Sequence, residues 1–157
     1  MHAPNTAGDQ TGSPVAPAPA PPEKVVIVLS AGLGPGQAAN AAACIAAGLG
    51  AGQPGWAAQP LRDAEGLHSS AISHLPIIIL SASDAQMAAL CDRLPMESPA
   101  GGGLALFPAY AQGIHDCHAY WERHRESAHR GLPMLGIGLA GARRWVNGLT
   151  GSLPMLR

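Results

Sequence analysis

The run Val25-Val26-Ile27-Val28-Leu29 constrains this chain more than any other stretch. It has no polar alternation and is rich in β-branched residues, so it reads as a strand covered on both faces. A strand of that kind needs packing layers above and below it, and the following sequence offers them in turn. Gly34–Gly50 is an alanine-rich helix whose Pro35 suits the first turn, where a missing N–H has no partner to lose. Gln53–Ser73 reads as irregular, with a turn at Arg62–Gly66. Pro76–Leu80 is a second buried strand. Ser83 and Asp84 cap a helix running to about Leu94, with Met87, Leu90, Cys91 and Leu94 on one face. Leu104–Pro108 is a third strand. Ile114–Arg130 is expected to be one amphipathic helix, with Ile114, Cys117, Tyr120, Trp121 and Ala128 turned inward. Pro133–Ala140 is a fourth strand, Ala142–Leu149 a short helix, and Ser152–Leu156 a last extended piece. Alternating strands and helices predict an α/β sandwich with a sheet of about four strands.

Residues 1–22 differ in kind from the rest. Pro14, Pro17, Pro19, Pro21 and Pro22 alternate with small residues, a composition that buries nothing and favours extended chain. A disordered Pro/Ala-rich tail is expected over 1–22, and a single domain over 23–157. The tail has neither a basic start nor a continuous apolar stretch, so it does not read as a secretory signal. No apolar run approaches the roughly 18 residues of a membrane helix. Three cysteines, Cys44, Cys91 and Cys117, give no disulfide framework and no CxxC pair, which points to a cytoplasmic protein. The net charge is -1, which gives no global attraction to nucleic acid.

Gly34-Pro35-Gly36-Gln37-Ala38-Ala39 satisfies G-x-G-x-x-A after a strand, the start of a dinucleotide fingerprint. The fingerprint also needs a second strand ending in an acid that holds the ribose. Here the chain continues Ala51-Gly52-Gln53-Pro54-Gly55, and the next acid is Asp63, in a turn. Glycines that make a tight strand-to-helix turn, and alanines that let the helix sit close to the sheet, explain the same letters. Nucleotide binding through Gly34 and Gly36 is therefore the weakest of three functional readings.

The order of KVVIVL (Lys24–Leu29), AANAAACIAAGL (Ala38–Leu49), PLRDAEG (Pro60–Gly66), LPIIIL (Leu75–Leu80) and GIGLAGARRWVNGLTGSLPML (Gly136–Leu156) resembles the bacterial domain-of-unknown-function family 2000. That family is in turn similar to the type II peptidyl-tRNA hydrolases, in the first strand and helix and in the closing V-x-x-x-T-G, here Val146 to Gly151. The resemblance implies a three-layer α/β/α sandwich around a mixed four-stranded sheet. It does not carry the hydrolase chemistry across. The hydrolase pattern G-K-x-A-A-Q-x-x-H puts its lysine on Asn40, its glutamine on Cys44 and its histidine on Ala47. A neutral amide supplies no charge to an oxyanion, and an alanine moves no proton.

Two further constellations invite chemistry. Arg62, Asp63 and Glu65 place a guanidinium and carboxylates in one turn, although Asp63 is equally an Asx-turn former with Gly66 supplying the positive φ. His115, His118 and Glu122 stand at i, i+3 and i+7, one face if that segment is helical. Zinc sites usually draw ligands from more than one element, so no metal and no cofactor are expected. Arg143 and Arg144 read as dispersed solubilising charge. The leading reading is a domain holding a small polar ligand between Ser30, Gln37, Asn40, Arg62, Asp63 and Thr150. The alternative is an ester or amide hydrolase, acting for example on peptidyl-tRNA, with Asp63, His68 and Thr150 as catalytic candidates. Whether the chain is an enzyme is left open. tRNA as a partner finds no support in the charge, and no membrane partner is expected. The small alanine faces leave room for a homodimer.

Overall fold

The structure, a computed structural model, describes residues 21–53, 56 and 59–157. The expected tail lies outside the described residues as far as residue 20. Among the described residues there are six strands and four α-helices: β1 (Lys24–Ser30), α1 (Pro35–Ala51), β2 (Pro60–Arg62), β3 (His68–Ser70), β4 (Ile77–Ala82), α2 (Asp84–Arg93), β5 (Gly103–Pro108), α3 (Cys117–Arg125), β6 (Met134–Gly141) and α4 (Arg143–Thr150). Four of the strands form one mixed sheet in the order β4-β1-β6-β5. β4 runs parallel to β1, while β6 is antiparallel to both β1 and β5. The expected α/β class and the mixed four-stranded sheet are therefore present.

β1 is central, and its alternating side chains separate two cores. Val25, Ile27 and Leu29 face α1 and pack with Ala41, Ile45, Leu49 and Trp56. Val26 and Val28 face the other way, against Met87 and Leu90 of α2 and Val146 and Leu149 of α4. Full burial of each such aliphatic side chain contributes about 1.5–3 kcal/mol, which is why a run without polar alternation is stable only in this position. β6 is the second fully buried strand, but it treats its faces unequally. Ile137 and Leu139 fill the α2/α4 side. On the α1 side stand Gly136 and Gly138. A Cβ on Gly138 would lie 2.2 Å from Ile45 Cγ2 and 2.9 Å from Leu49 Cδ1. The missing side chains let α1 rest directly on the sheet.

The helix boundaries follow from capping. Pro35 opens α1, and the Gln37 side chain accepts the Gly34 N–H at 3.3 Å. Ser83 caps α2 through the Gln86 N–H, while the Gln86 side chain accepts the Ser83 N–H at 2.9 Å, a reciprocal box. α4 has no local side-chain cap. Glu23 performs that role from the far end of the chain, its Oε2 accepting the Arg143 N–H at 2.9 Å. A carboxylate there also complements the helix dipole.

Three details differ from the sequence reading. Gln53–Ser73 is not wholly irregular, since β2 and β3 form a small antiparallel ribbon closed by the Asp63–Gly66 turn. Gly66 has φ +96° there, a conformation that an L side chain rarely adopts. β4 is only half-buried over most of its length because it lies near the sheet margin, with the C-terminal strand-like piece bridging to it through Leu80 and Met155. The single helix expected over Ile114–Arg130 is shorter and is preceded by a separate turn of helix. A 3-10 helix spans Ala109–Gly113, and α3 is limited to Cys117–Arg125. Asp116 starts α3 by accepting the Ala119 N–H at 2.8 Å. Cys117, Trp121 and Ala128 are exposed rather than turned inward, and only Ile114 and Tyr120 of that set are half-buried. The apolar spacing fitted a helical period, but the segment stands at the margin of the sheet, where no layer waits to cover it.

Candidate functional site

α1 packs over β1, β6 and the start of β5, where Leu49 reaches Gly103, and the sheet ends at β5. A cleft of about 690 Å³ opens there. One wall is the flank of α1, where Asn40, Cys44 and Gly48 recur every four residues along one stripe. The floor is apolar, from Ile45, Ala105 and Phe107, while Leu104 and Leu106 border it from the strand and pack their side chains against the α2/α4-side core. The outer wall is the chain that leaves β5, with Ala111, Gln112, Ile114, His115, Tyr120 and His124. The cleft exists because the α1 stripe is short or absent in side chain. A Cβ on Gly48 would still lie 4.0 Å from the Ala105 Cβ. The volume lies within the roughly 300–1,000 Å³ of small-molecule sites, and an apolar floor with a few polar groups around it is their usual chemistry.

The outer wall is held by a cluster of rings. The Tyr110 hydroxyl lies 2.8 Å from His129 Nε2 and 3.4 Å from His124 Nδ1. The two imidazoles face each other with centroids 4.1 Å apart. The Arg123 guanidinium sits over the Tyr110 ring at 5.5 Å. Burial pushes the His129 imidazole below its ordinary value, and the neighbouring His124 adds to the shift. Burial pushes the Tyr120 phenol up, with Tyr110 as the second cause. Behind this wall, on the other face of β5, a second cleft of about 390 Å³ is lined by Cys91, Leu94, Met96, Leu104, Leu106 and His129 among others. His124 thus faces one cleft and His129 the other.

Residues 23–157 match the family described as "Protein of unknown function (DUF2000)". The chain belongs to that family. Its fold is also similar to the solved structure of Atu0240, a protein of unknown function from Agrobacterium tumefaciens strain C58. The two superpose with a TM-score of 0.72 at 17% sequence identity, over 85% of this chain and 97% of the other. No curated protein matches the chain.

Within this DUF2000 domain the residues singled out from sequence fall into separate places. Asn40 lines the cleft, and Cys44 Sγ lies 4.0 Å from its Oδ1. Gln37 is engaged at the start of α1. Ser30 is buried at the end of β1, and its Oγ accepts the Gly32 N–H at 3.4 Å. Thr150 is buried in α4, and its Oγ1 donates to the Val146 carbonyl at 2.8 Å. α4 and α1 cover opposite faces of the sheet, so β1 and β6 stand between Thr150 and Asn40. Arg62, Asp63 and His68 lie together on the exposed β2–β3 ribbon, where Arg62 pairs with His68 in register. The Asp63 carboxylate accepts the Glu65 and Leu67 N–H groups, each at 2.9 Å. The Leu67 N–H chiefly, joined by the Glu65 and Gly66 N–H groups, holds its pKa below the ordinary value against an opposing effect of desolvation.

His115 precedes α3 and lines the cleft, whereas His118 stacks edge-on against Trp121 with ring centroids 5.1 Å apart. The i, i+3, i+7 face that would join His115 to His118 and Glu122 does not form, because the helix starts only at Cys117. Among the described residues no three His, Cys, Asp or Glu side chains converge as a metal site. No helix among them is long and apolar enough to cross a membrane. Sequence reasoning missed Gln112, Tyr120, His124 and the Tyr110–His129 contact as site features. Their common signal is position after an edge strand, which no local pattern reports.

Proposed function

We propose that this DUF2000 domain binds a small, largely apolar molecule in the cleft between α1, β5 and the Ala109–Arg125 segment. The carrying observation is the lining itself: an aliphatic and Phe107 floor ringed by Asn40, Gln112, His115, Tyr120 and His124. Asn40 is the residue common to this reading and to the polar set expected from sequence. The amides and imidazoles orient a ligand while burial of its apolar body supplies most of the affinity. Arg62, Asp63 and His68 stand at a separate place, on the ribbon. The Asp63 carboxylate is already committed to the turn amides. The likeness to type II peptidyl-tRNA hydrolases is proposed for the arrangement of sheet and closing helix. Asn40, Cys44 and Ala47 supply no lysine–histidine pair for the hydrolysis.

The test is a ligand-observed NMR screen of small metabolites and fragments against the full chain, repeated on Gly48→Trp. The bulky side chain stands on the exposed flank of α1 and fills the cleft. A genuine cleft ligand at about 100 times its Kd stabilises the parent by about 2.7 kcal/mol. It should lose this effect on Gly48→Trp. Ligands that bind both proteins equally would remove the cleft from consideration.

A further inference from the structure

The chemistry of the lining narrows the ligand, given that the cleft is a binding site at all. Among the described residues that line it there is no Asp, Glu, Lys or Arg. Its imidazoles, His115 and His124, are the groups able to become positively charged near neutral pH. A fixed charge would select ions at every pH. An imidazole selects an anion only when a proton arrives with it.

His124 does not take up that proton alone. The Tyr110 hydroxyl has one hydrogen to give and lone pairs to receive. With one extra proton on the imidazole pair, the imidazolium donates to the phenol oxygen and the phenol donates to the neutral ring. Every facing atom is then satisfied. With two extra protons both rings donate, the phenol hydrogen loses its acceptor, and two like charges stand 4.1 Å apart between ring centroids. Arg123 over Tyr110 adds a third positive charge. Tyr120 also faces His124 from α3, at 5.6 Å between centroids. From α2 comes Cys91, whose thiol donates to the His129 carbonyl at 3.8 Å, with Asp92 and Arg130 beside that thiol. Asp92 is the carboxylate of this set, and it acts on Cys91. The pair therefore accepts one proton and resists a second.

We propose that the cleft binds small apolar carboxylates and takes up one proton with each, the proton being held on the His124–Tyr110–His129 cluster. The ligand's negative charge beside His124 favours the protonated pair, and the protonated pair favours the ligand. His129 tunes the response from the second cleft without touching the ligand. It is a positioning residue.

The test uses the full chain with two probes of one shape, 1-naphthoate and the neutral 1-naphthamide. Affinity is measured by calorimetry at about pH 5.5 and about pH 8, on either side of the ordinary imidazole range. Buffers of different ionisation enthalpy report proton uptake, and NMR shifts at Phe107 and Tyr120 locate the probe. 1-Naphthoate should bind about tenfold tighter at the lower pH, within what uptake of one proton allows, and 1-naphthamide should show no pH dependence. Because His115 also lines the cleft, two variants are compared: His124→Gln should remove most of the pH dependence of 1-naphthoate, and His115→Gln should leave it in place, the reverse pattern overturning the assignment to the cluster. His129→Phe, which leaves a single imidazole in the cluster, should move the pH dependence to higher pH. That second shift also separates this local effect from the general rise in protein charge on acidification. Two probes bound equally at both pH values would overturn the carboxylate-and-proton assignment and leave the cleft reading standing. Failure of both probes to shift Phe107 or Tyr120 would bring down the cleft reading, and this inference with it.

Discussion

α1 meets its sheet in two different ways. Over β6 there is no space, and the absent side chains of Gly136 and Gly138 are occupied by Ile45 and Leu49. Over β5, one strand further out, the helix flank and the strand leave the 690 Å³ cleft. Both regions are rich in small residues, so composition does not distinguish them. What differs is which neighbour reaches in. At β6 the large side chains of α1 point down into the gap. At β5 the stripe that faces the strand is Asn40, Cys44 and Gly48, and nothing long fills it. Small residues thus make a tight contact where large side chains point into them, and border a cleft where the short stripe of α1 stands beside β5 and nothing long reaches across.

The largest expected effect breaks the tight side. Gly138→Ala places a methyl 2.2 Å from Ile45 Cγ2, a branch attached at Cβ that cannot swing away alone. Overpacking of this kind should cost about 3 kcal/mol, read as a lower urea midpoint at unchanged slope. A double variant with Ile45→Ala tests the cause. Ile45→Ala alone leaves a cavity and should cost about 3 kcal/mol. If the clash is the reason for the glycine, the two costs should fall short of additivity by about 1–2 kcal/mol, as expected of contacting residues. Additive costs would mean that Gly138 is needed for another reason.

The open side predicts the opposite sign. Gly48→Ala adds a methyl at ordinary contact distance inside a helix. It should stabilise by about 0.5–1 kcal/mol through helix propensity, measured in the same urea titration. A loss there would mean that the cleft is narrower than drawn.

Two smaller effects sharpen the contrast between core and margin. His129 has a lowered pKa in the folded chain, mainly through burial. The unfolded chain therefore binds this proton first. Stability from this group is complete above the unfolded value of about 6.5 and falls as pH drops from there through the lowered folded value. His129→Phe should remove that part of the pH dependence, observable as a flatter urea midpoint between about pH 7 and pH 5. The ribbon responds only locally. Asp63→Ala removes the acceptor of the Glu65 and Leu67 N–H groups. Hydrogen exchange should rise at those two amides while β1 stays protected.

Much of the fold was legible because its signals are local. An unbroken β-branched run, a proline at a helix start and the Ser83-Asp84 pair ahead of an apolar helical face act within a few positions, and β1, α1 and α2 follow from them. The helix expected over Ile114–Arg130 exceeds α3 because apolar spacing predicts a buried face, and periodicity does not say whether a layer is there to bury it. The site was less legible for the same reason. Asn40 was singled out through its place on α1. His124 and Tyr120 carry no motif, and they face the cleft only because the chain turns outward after β5 in a 3-10 helix.

By itself the sequence determined the alternation of strands and helices, the two-sided burial of β1, and the Asx turn at Asp63. Each depends on neighbours within a helical turn or a strand pleat. Tertiary structure decided that β6 runs antiparallel beside β1, that Glu23 caps a helix more than a hundred residues away, and that Tyr110 joins His124 to His129. These depend on distances between segments far apart in the chain, which are set when the two cores close around β1.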